Sequence, residues 1–436
     1  MNIIIAGAGK VGFNLAKTLS IGHNVIIIDK NKEALDRISE SLDILPYFGD
    51  IKDPRTYENF EQTPIDLFIA VTNLDEANII SSLVVEDILD IGKKFVRLQN
   101  EYYEHSNIKE KLNIYKLIFP SKISSNNITA LLKYPKINNI KNFKYTDYKV
   151  VSIFCAKDKI EDEELEFIKD HIIGIEKNGT FSINNTDDIQ KGDLIYVITQ
   201  EEDIPKICDI FDGDSLDEIK NCVIFGGSEL GINIAKILVE NKKDVKLIEK
   251  DINLCNKAEE VLEGKVHIIN SKYQNEELFI DENLDKADIC ISTYKDDEYN
   301  IIKCIEAKEF GIPKVVAINN ESEYYNLMHR VGIIALRGEK ISAYHTIIEH
   351  INNSKIILEK FFCGGKGVVF LRKIFENSKL IGKNLSNPSI PESRFYLIRG
   401  EKMELLDEIV LEENDIVIAI TLTENMPKVK TWIYEL

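Results

Sequence analysis

The chain has 436 residues, enough for two to four domains with cores of their own. Hydrophobic residues make up 44% and charged residues 29%, which excludes a disordered or fibrous chain. With 54 Lys and Arg against 73 Asp and Glu, the formal charge of −19 argues against a nucleic-acid backbone or an anionic membrane surface as the main partner.

In chain order, Ile3-Ile4-Ile5 enters a strand at once, with no signal-peptide-like run before it. No apolar run approaches the roughly 18–20 residues that span a bilayer. Strands are expected at 3–6, 25–28, 67–71, 95–98 and 117–119, near-continuous in Ile, Val and Leu as in a parallel sheet covered on both faces. Helical periods fill 11–20, 31–42 and 75–91, and Asp53-Pro54 reads as an N-cap and first helical residue of a short helix at 54–61. This is a doubly wound α/β unit over 1–125. A helix at 121–134 stops at Tyr134-Pro135, and a polar linker at 138–144 leads to a small α+β module at 146–212 with strands at 149–155 and 194–198. An acidic tract from Asp212 to Glu218 follows.

The pattern is then written a second time. Ile5-Ala6-Gly7-Ala8-Gly9 returns as Ile224-Phe225-Gly226-Gly227-Ser228, and Ile28-Asp29-Lys30 as Ile248-Glu249-Lys250. Asp75-Glu76-Ala77-Asn78 returns as Asp297-Glu298-Tyr299-Asn300, and Gly192-Asp193-Leu194-Ile195 as Asn414-Asp415-Ile416-Val417. The order and the near-constant offset make the chain a tandem duplication: a second doubly wound unit at 219–345, a joining helix and linker containing Cys363-Gly364-Gly365, and a second small module at 366–436.

The first glycine motif, Gly7-x-Gly9-x-x-Gly12, follows a strand and opens a helix, the context in which it binds a pyrophosphate. Gly7 makes the tight turn, Gly9 lets the backbone approach the phosphates, and Gly12 allows close helix–strand packing, with amides from Ala8 through Lys10 and Val11 facing the anion. Asp29 ends the second strand, where a carboxylate accepts both ribose hydroxyls and favours NAD or ATP over NADP; capping of the following helix is its alternative. Asp50 is placed to meet an adenine amino group or to cap the 54–61 segment. Thr72-Asn73 lies at the carboxyl edge of the sheet, where turn chemistry leading to Asp75 as N-cap is the alternative. Arg97 interrupts an apolar strand and needs an anion, either a bound phosphate or a structural carboxylate.

The runs GAGKVG, Asp29, Gly49-Asp50, AVTNLDEAN and VRLQNEY resemble the RCK (KTN) regulatory domains of potassium transport, and two such units in one chain extend that resemblance over the whole length. The resemblance implies NAD contacts at Gly7 to Val11, Asp29, Thr72, Asn73 and Arg97, with NAD+ or NADH, or ATP or ADP as in relatives, acting as an effector. It further implies a homo-oligomeric RCK ring, cytoplasmic and held on the inner face of the cell membrane by a Trk-type potassium-translocating subunit. The segments 121–134 and 340–353 are then hinge or dimer elements, with a plain core role as the alternative.

The matching second-half positions, Gly226, Gly227, Ser228, Glu229, Leu230, Gly231 and Glu249, have drifted. Asn270-Ser271 replaces Gly49-Asp50, Tyr294-Lys295 replaces Thr72-Asn73, and Ala317 takes the place of Arg97, so a weak, different or absent ligand is expected there. Two other function classes remain. An NAD-dependent oxidoreductase needs a placed acid or base, and His23 and His105 of the first unit lie in no catalytic motif. A scaffold or sensor could instead use a cleft between the paired small modules. Seven scattered cysteines read as free thiols, and His345 and His350 do not share a helix face as metal ligands would.

Overall fold

The computed structural model describes every residue except 184–188, 213–217, 273–275 and 353–355; most of the acidic tract at 212–218 therefore lies outside the described residues. The first module alternates β1 (Asn2–Ala6), α1 (Lys10–Leu19), β2 (Asn24–Asp29), α2 (Lys32–Ser39), β3 (Leu45–Phe48), β4 (Ile65–Ala70), α3 (Asp75–Ile88), β5 (Ile91–Arg97), α4 (Ile108–Lys111), β6 (Lys116–Ile118) and α5 (Pro120–Lys133). Its six strands run in the order β3-β2-β1-β4-β5-β6, parallel at every pair. Ile3, Ile4 and Ile5 are consecutive and wholly buried, which requires cover on both faces of the sheet.

The first small module holds β7 (Asn139–Asn142), β8 (Tyr148–Phe154), α6 (Asp162–Ile168), β9 (Ile172–Lys177), β10 (Thr180–Ser182), β11 (Leu194–Gln200) and α7 (Ile204–Phe211), its antiparallel sheet ordered β10-β9-β11-β8-β7. The second copy of the parallel sheet takes β12 (Asn221–Phe225), α8 (Glu229–Glu240), β13 (Asp244–Glu249), α9 (Ile252–Leu262), β14 (His267–Asn270), α10 (Glu276–Asp281), β15 (Ile289–Ser292), α11 (Asp297–Glu309), β16 (Lys314–Asn319), α12 (Tyr325–Arg330), β17 (Ile334–Arg337) and α13 (Glu339–Asn352). The order β14-β13-β12-β15-β16-β17 repeats the first sheet strand for strand. The last module is an antiparallel sheet of Ile357–Phe362, Gly367–Lys373, Ile416–Leu422, Ser393–Arg399 and Lys402–Leu405, closed by the helix Met426–Glu435.

Three expectations are corrected. The 54–61 segment forms two short 3-10 turns, Pro54–Thr56 and Glu58–Phe60; eight residues ahead of Thr63-Pro64 are too few for a stable α-helix. The polar stretch at 138–144 contains edge strand β7, which needs a ladder partner on one side only and finds it in β8. Cys363-Gly364-Gly365 is the tight turn of a hairpin within the last module, with φ of +49°, +62° and +93°.

The chain divides into two compact units: Met1–Ser124 with Arg337–Ile348, and Ser125–Leu336 with Glu349–Leu436. The start of α13, from the second repeat, thus completes the first unit. Thr18 and Tyr344 share a hydroxyl hydrogen bond at 2.8 Å, and Ser124 donates to Ser342 at 2.9 Å. Within the other unit the two small sheets share one core, in which Phe181 stands edge-on to Tyr196 and Phe362 at 5.2 and 5.4 Å. The face that would have offered a cleft between paired small modules is filled by these side chains.

Candidate nucleotide site

Gly7 turns the chain after β1 at φ +117°, a conformation suited to glycine. A Cβ on Gly12 would lie 1.8 Å from the Gly7 carbonyl oxygen, so α1 rests directly on that turn. A Cβ on Gly9 would meet nothing within 4 Å, which leaves the middle of the loop open. The three glycines therefore divide their work as turn, packing and approach.

Asp29 stands at the end of β2. Its Oδ2 accepts from the Ala8 amide at 2.6 Å and its Oδ1 from the Asn31 amide at 2.8 Å. It holds the glycine loop and does not cap α2, whose N-cap is Asn31, accepting from the Ala34 amide at 3.2 Å. Across the loop, Asn78 is fully buried and its Oδ1 accepts from the Thr72 amide at 3.0 Å and hydroxyl at 2.7 Å. Asp75 is the first residue of α3 and not its N-cap; its carboxylate takes the amides of Gln99 and Asn100 at 2.7 and 2.8 Å, clamping the end of β5.

Arg97 ends β5 at 4% exposure. Its Nη1 donates to Asn73 Oδ1 at 3.0 Å, and its Nε is buried without a hydrogen-bond partner. Among the described residues no salt bridge holds its guanidinium. Burial pulls its pKa down, opposed by the charges of Glu339 and Asp75. A cation in this state has an unfilled demand for an anion.

A cleft of about 230 Å³ brings these pieces together. Gly7, Gly9, Lys10 and Val11 line it from the loop, Asp29 from β2, and Thr72, Asn73 and Arg97 from the opposite side. Ala8 and Gly12 serve the loop from behind. Asp50 is not among the lining residues; its Oδ1 accepts from the Lys52 amide at 3.0 Å and capping is done by Asp53, which takes the Arg55 amide. Two residues escaped sequence reasoning. Val71 lies in an apolar strand with no distinguishing signal, and Lys340, on α13, enters the cleft from 243 positions beyond Arg97. A larger cleft of about 340 Å³ contains none of the expected site residues, and its Lys133 and Lys149 are both paired to Glu201.

The second repeat keeps the loop. Gly226 has φ +109°, and a Cβ on Gly231 would lie 2.0 Å from its carbonyl oxygen. Glu249, one methylene longer than Asp29, is 2% exposed. Its Oε2 takes the Gly227 amide at 2.6 Å, and its Oε1 takes the Lys250 and Asp251 amides at 2.7 and 2.9 Å. Thr293 donates to the carbonyls of Phe225 and Gly226 at 3.1 and 3.0 Å, holding the turn. Ser228 precedes α8 as its N-cap without a side-chain bond, and Glu229, Leu230 and Gly231 open that helix.

Two expected correspondences shift by one residue. The Gly49 amide donates to the Asp29 carbonyl as the Ser271 amide does to the Glu249 carbonyl, so Lys272 is the counterpart of Asp50. Asn78 donates to the Arg97 carbonyl as Asn300 does to the Ile318 carbonyl, so Ile318, and not Ala317, is the counterpart of Arg97. Small insertions between landmarks change the offset, and only the hydrogen-bond ladder fixes it.

Among the described residues no group of His, Cys, Asp and Glu is placed to hold a metal ion, and no helix is long and apolar enough to cross a membrane. All seven cysteines are free thiols and buried.

The TrkA-N domain model matches residues 3–120 and again 222–336. A Trk system potassium uptake protein TrkA homolog of Archaeoglobus fulgidus is 27% identical, over 92% of each chain. The Trk system potassium uptake protein TrkA of Haemophilus influenzae is 25% identical, over 99% of this chain and 98% of its own. Among solved structures, the GsuK RCK domain superposes with a TM-score of 0.62 at 13% identity, covering all of this chain and 95% of that one. The GsuK channel bound to NAD gives 0.60 at 14%, covering all of this chain and 79% of that one. With the same βαβ unit present twice in sequence, in sheet order and in family match, the chain belongs to the TrkA-N domain family and carries that domain in both halves.

Proposed function

We propose that this chain is a regulatory subunit of a potassium uptake system, which binds a nucleotide in the first cleft and acts on a Trk-type potassium-translocating membrane subunit. The reading is carried by one observation: Arg97 is buried beside the open glycine loop with its Nε unpartnered, a cation held ready for a phosphate. NAD+ or NADH fits the carboxylate at Asp29, and ADP or ATP shares the same adenosine and phosphate chemistry. The nucleotide is an effector, biasing two arrangements of the protein by differential affinity. Neither His23 nor His105 lines the cleft, which favours binding over hydride chemistry.

The four modules at 1–125, 146–212, 219–345 and 366–436 then form one subunit of a homo-oligomeric ring at the cytoplasmic face of the membrane. The second repeat serves assembly, since Ile318 stands in place of the arginine and Glu249, 2% exposed, is taken up by three backbone amides. Calorimetric titration with NADH and separately with ATP tests the reading, with Asp29→Ala as control. One saturable site per chain, lost in the variant, is the expected result. Two sites would overturn the assignment of the second repeat, and no binding of either nucleotide would overturn the whole.

A further inference from the structure

The first cleft is built by both repeats. Its lining cations are Lys10, Arg97 and Lys340, set against the single carboxylate of Asp29. The carboxylates of Glu339 and Asp75 also act on Arg97, so Lys340 adds a cation where the charge of Arg97 is already partly offset. Lys340 lies in the first turn of α13, and the two side chains that anchor this helix on the first unit follow it closely. Ser342 accepts from Ser124, at the end of that unit's own stretch of chain, and Tyr344 bonds to Thr18 in the last turn of α1. Helix α1 is also the one whose first turn leaves the glycine loop. Lys340 is exposed, so recruiting it costs little desolvation.

Resting on the nucleotide reading above, we propose that Lys340 supplies the second repeat's cation to the phosphates bound in the first cleft. Ligand occupancy is thereby transmitted to α13, the helix that leads from the second parallel sheet into the last module. The drifted repeat, which lacks an arginine at Ile318, contributes its phosphate contact to its neighbour's site. A ligand without phosphates gains nothing from Lys340, and one with a pyrophosphate gains a contact that ties α13 to the sheet edge.

Two measurements on the full-length protein test this. In titrations with NADH, Lys340→Ala is expected to weaken binding about fivefold and Lys340→Glu about 25-fold, with Lys340→Arg close to wild type, because the effect follows charge and not shape. In hydrogen exchange, NADH is expected to slow the amides of 339–348 in the wild type and not in Lys340→Ala. If wild-type protein binds NADH while Lys340→Ala and Lys340→Glu bind equally well, this inference falls and the nucleotide reading stands. If Lys340→Ala weakens binding but 339–348 exchanges unchanged on ligation, transmission to α13 is overturned. If the wild type binds no nucleotide, both fall.

Discussion

Asn78 donates through Nδ2 to the backbone carbonyl of Arg97 at 2.8 Å while its Oδ1 holds the amide and hydroxyl of Thr72. One wholly buried amide thus fixes both sides of the cleft at once. Asn300 repeats the arrangement with Ile318 and Tyr294. Asn78→Ala strands buried partners on both strands and is expected to cost about 3 kcal/mol. Asn300→Ala should cost a similar amount, read from urea midpoints, although its half carries no arginine at the cleft. Equal losses would show that this amide belongs to the fold and not to the ligand.

Arg97 presents the opposite balance. A buried guanidinium without a carboxylate partner is a burden on the ligand-free protein. Arg97→Met, similar in length and apolar, is expected to raise the melting temperature of the ligand-free protein by a few degrees while abolishing the further rise that NADH produces. A scanning melt with and without NADH reads both effects. A large fall in the ligand-free melting temperature would show that the arginine is structural.

The glycines of the loop should separate in the same assay. Gly12→Ala places a methyl 1.8 Å from the Gly7 carbonyl oxygen and is expected to destabilise by about 3 kcal/mol or more. Gly9→Ala meets open space at ordinary extended backbone angles, so its melting temperature should match the wild type. Its nucleotide affinity should nevertheless fall at least tenfold, because the methyl occupies the approach to the phosphates.

Glu176 gives a pH dependence. Burial alone would raise its carboxyl, but His329 at 3.1 Å and Lys366 at 2.8 Å overcome that and hold it at about 2, against an ordinary 4.5. Because the folded value lies below the ordinary one, folding favours the carboxylate. The contribution is complete above pH 4.5 and is lost as pH falls toward 2, an interval worth roughly 3 kcal/mol. Urea unfolding at pH 7, 4 and 3 should show this decline, and Glu176→Gln should be less stable at pH 7 and flatter across the range.

The thiols should be silent in the native protein. Burial pushes Cys208 and Cys222 up to about 12 and raises the other five as well. A colorimetric thiol reagent is expected to find fewer than one cysteine per chain in buffer and seven in denaturant.

Much of this was legible in the sequence because parallel strands buried on both faces are written as apolar runs, and because a glycine loop after such a run has one common structural context. Gly7, Gly9, Asp29, Thr72, Asn73 and Arg97 converge as that context requires. The second repeat was legible as a copy, but its residue-by-residue match was not. Helix–strand loops differ in length between the halves, and Ile318 and Lys272 were identified only through the carbonyls and amides they share with their neighbours. The place of Lys340 was illegible for another reason. Helical periodicity reports that α13 has a buried side and says nothing of which sheet lies beneath it.

The membership of residues 337–348 in the first unit has a consequence for synthesis of the chain. The first 124 residues leave the ribosome early, yet the helix that completes their fold is made more than 200 residues later. At roughly 5–20 residues per second that is a wait of about 10–40 s. During this time the first parallel sheet must persist with the flank of α1 around Thr18 uncovered. A gene cut at its duplication seam would deprive that flank of Tyr344, and the end of the first stretch, at Ser124, of Ser342. The two halves descend from one sequence, yet the first is completed by a helix made with the second.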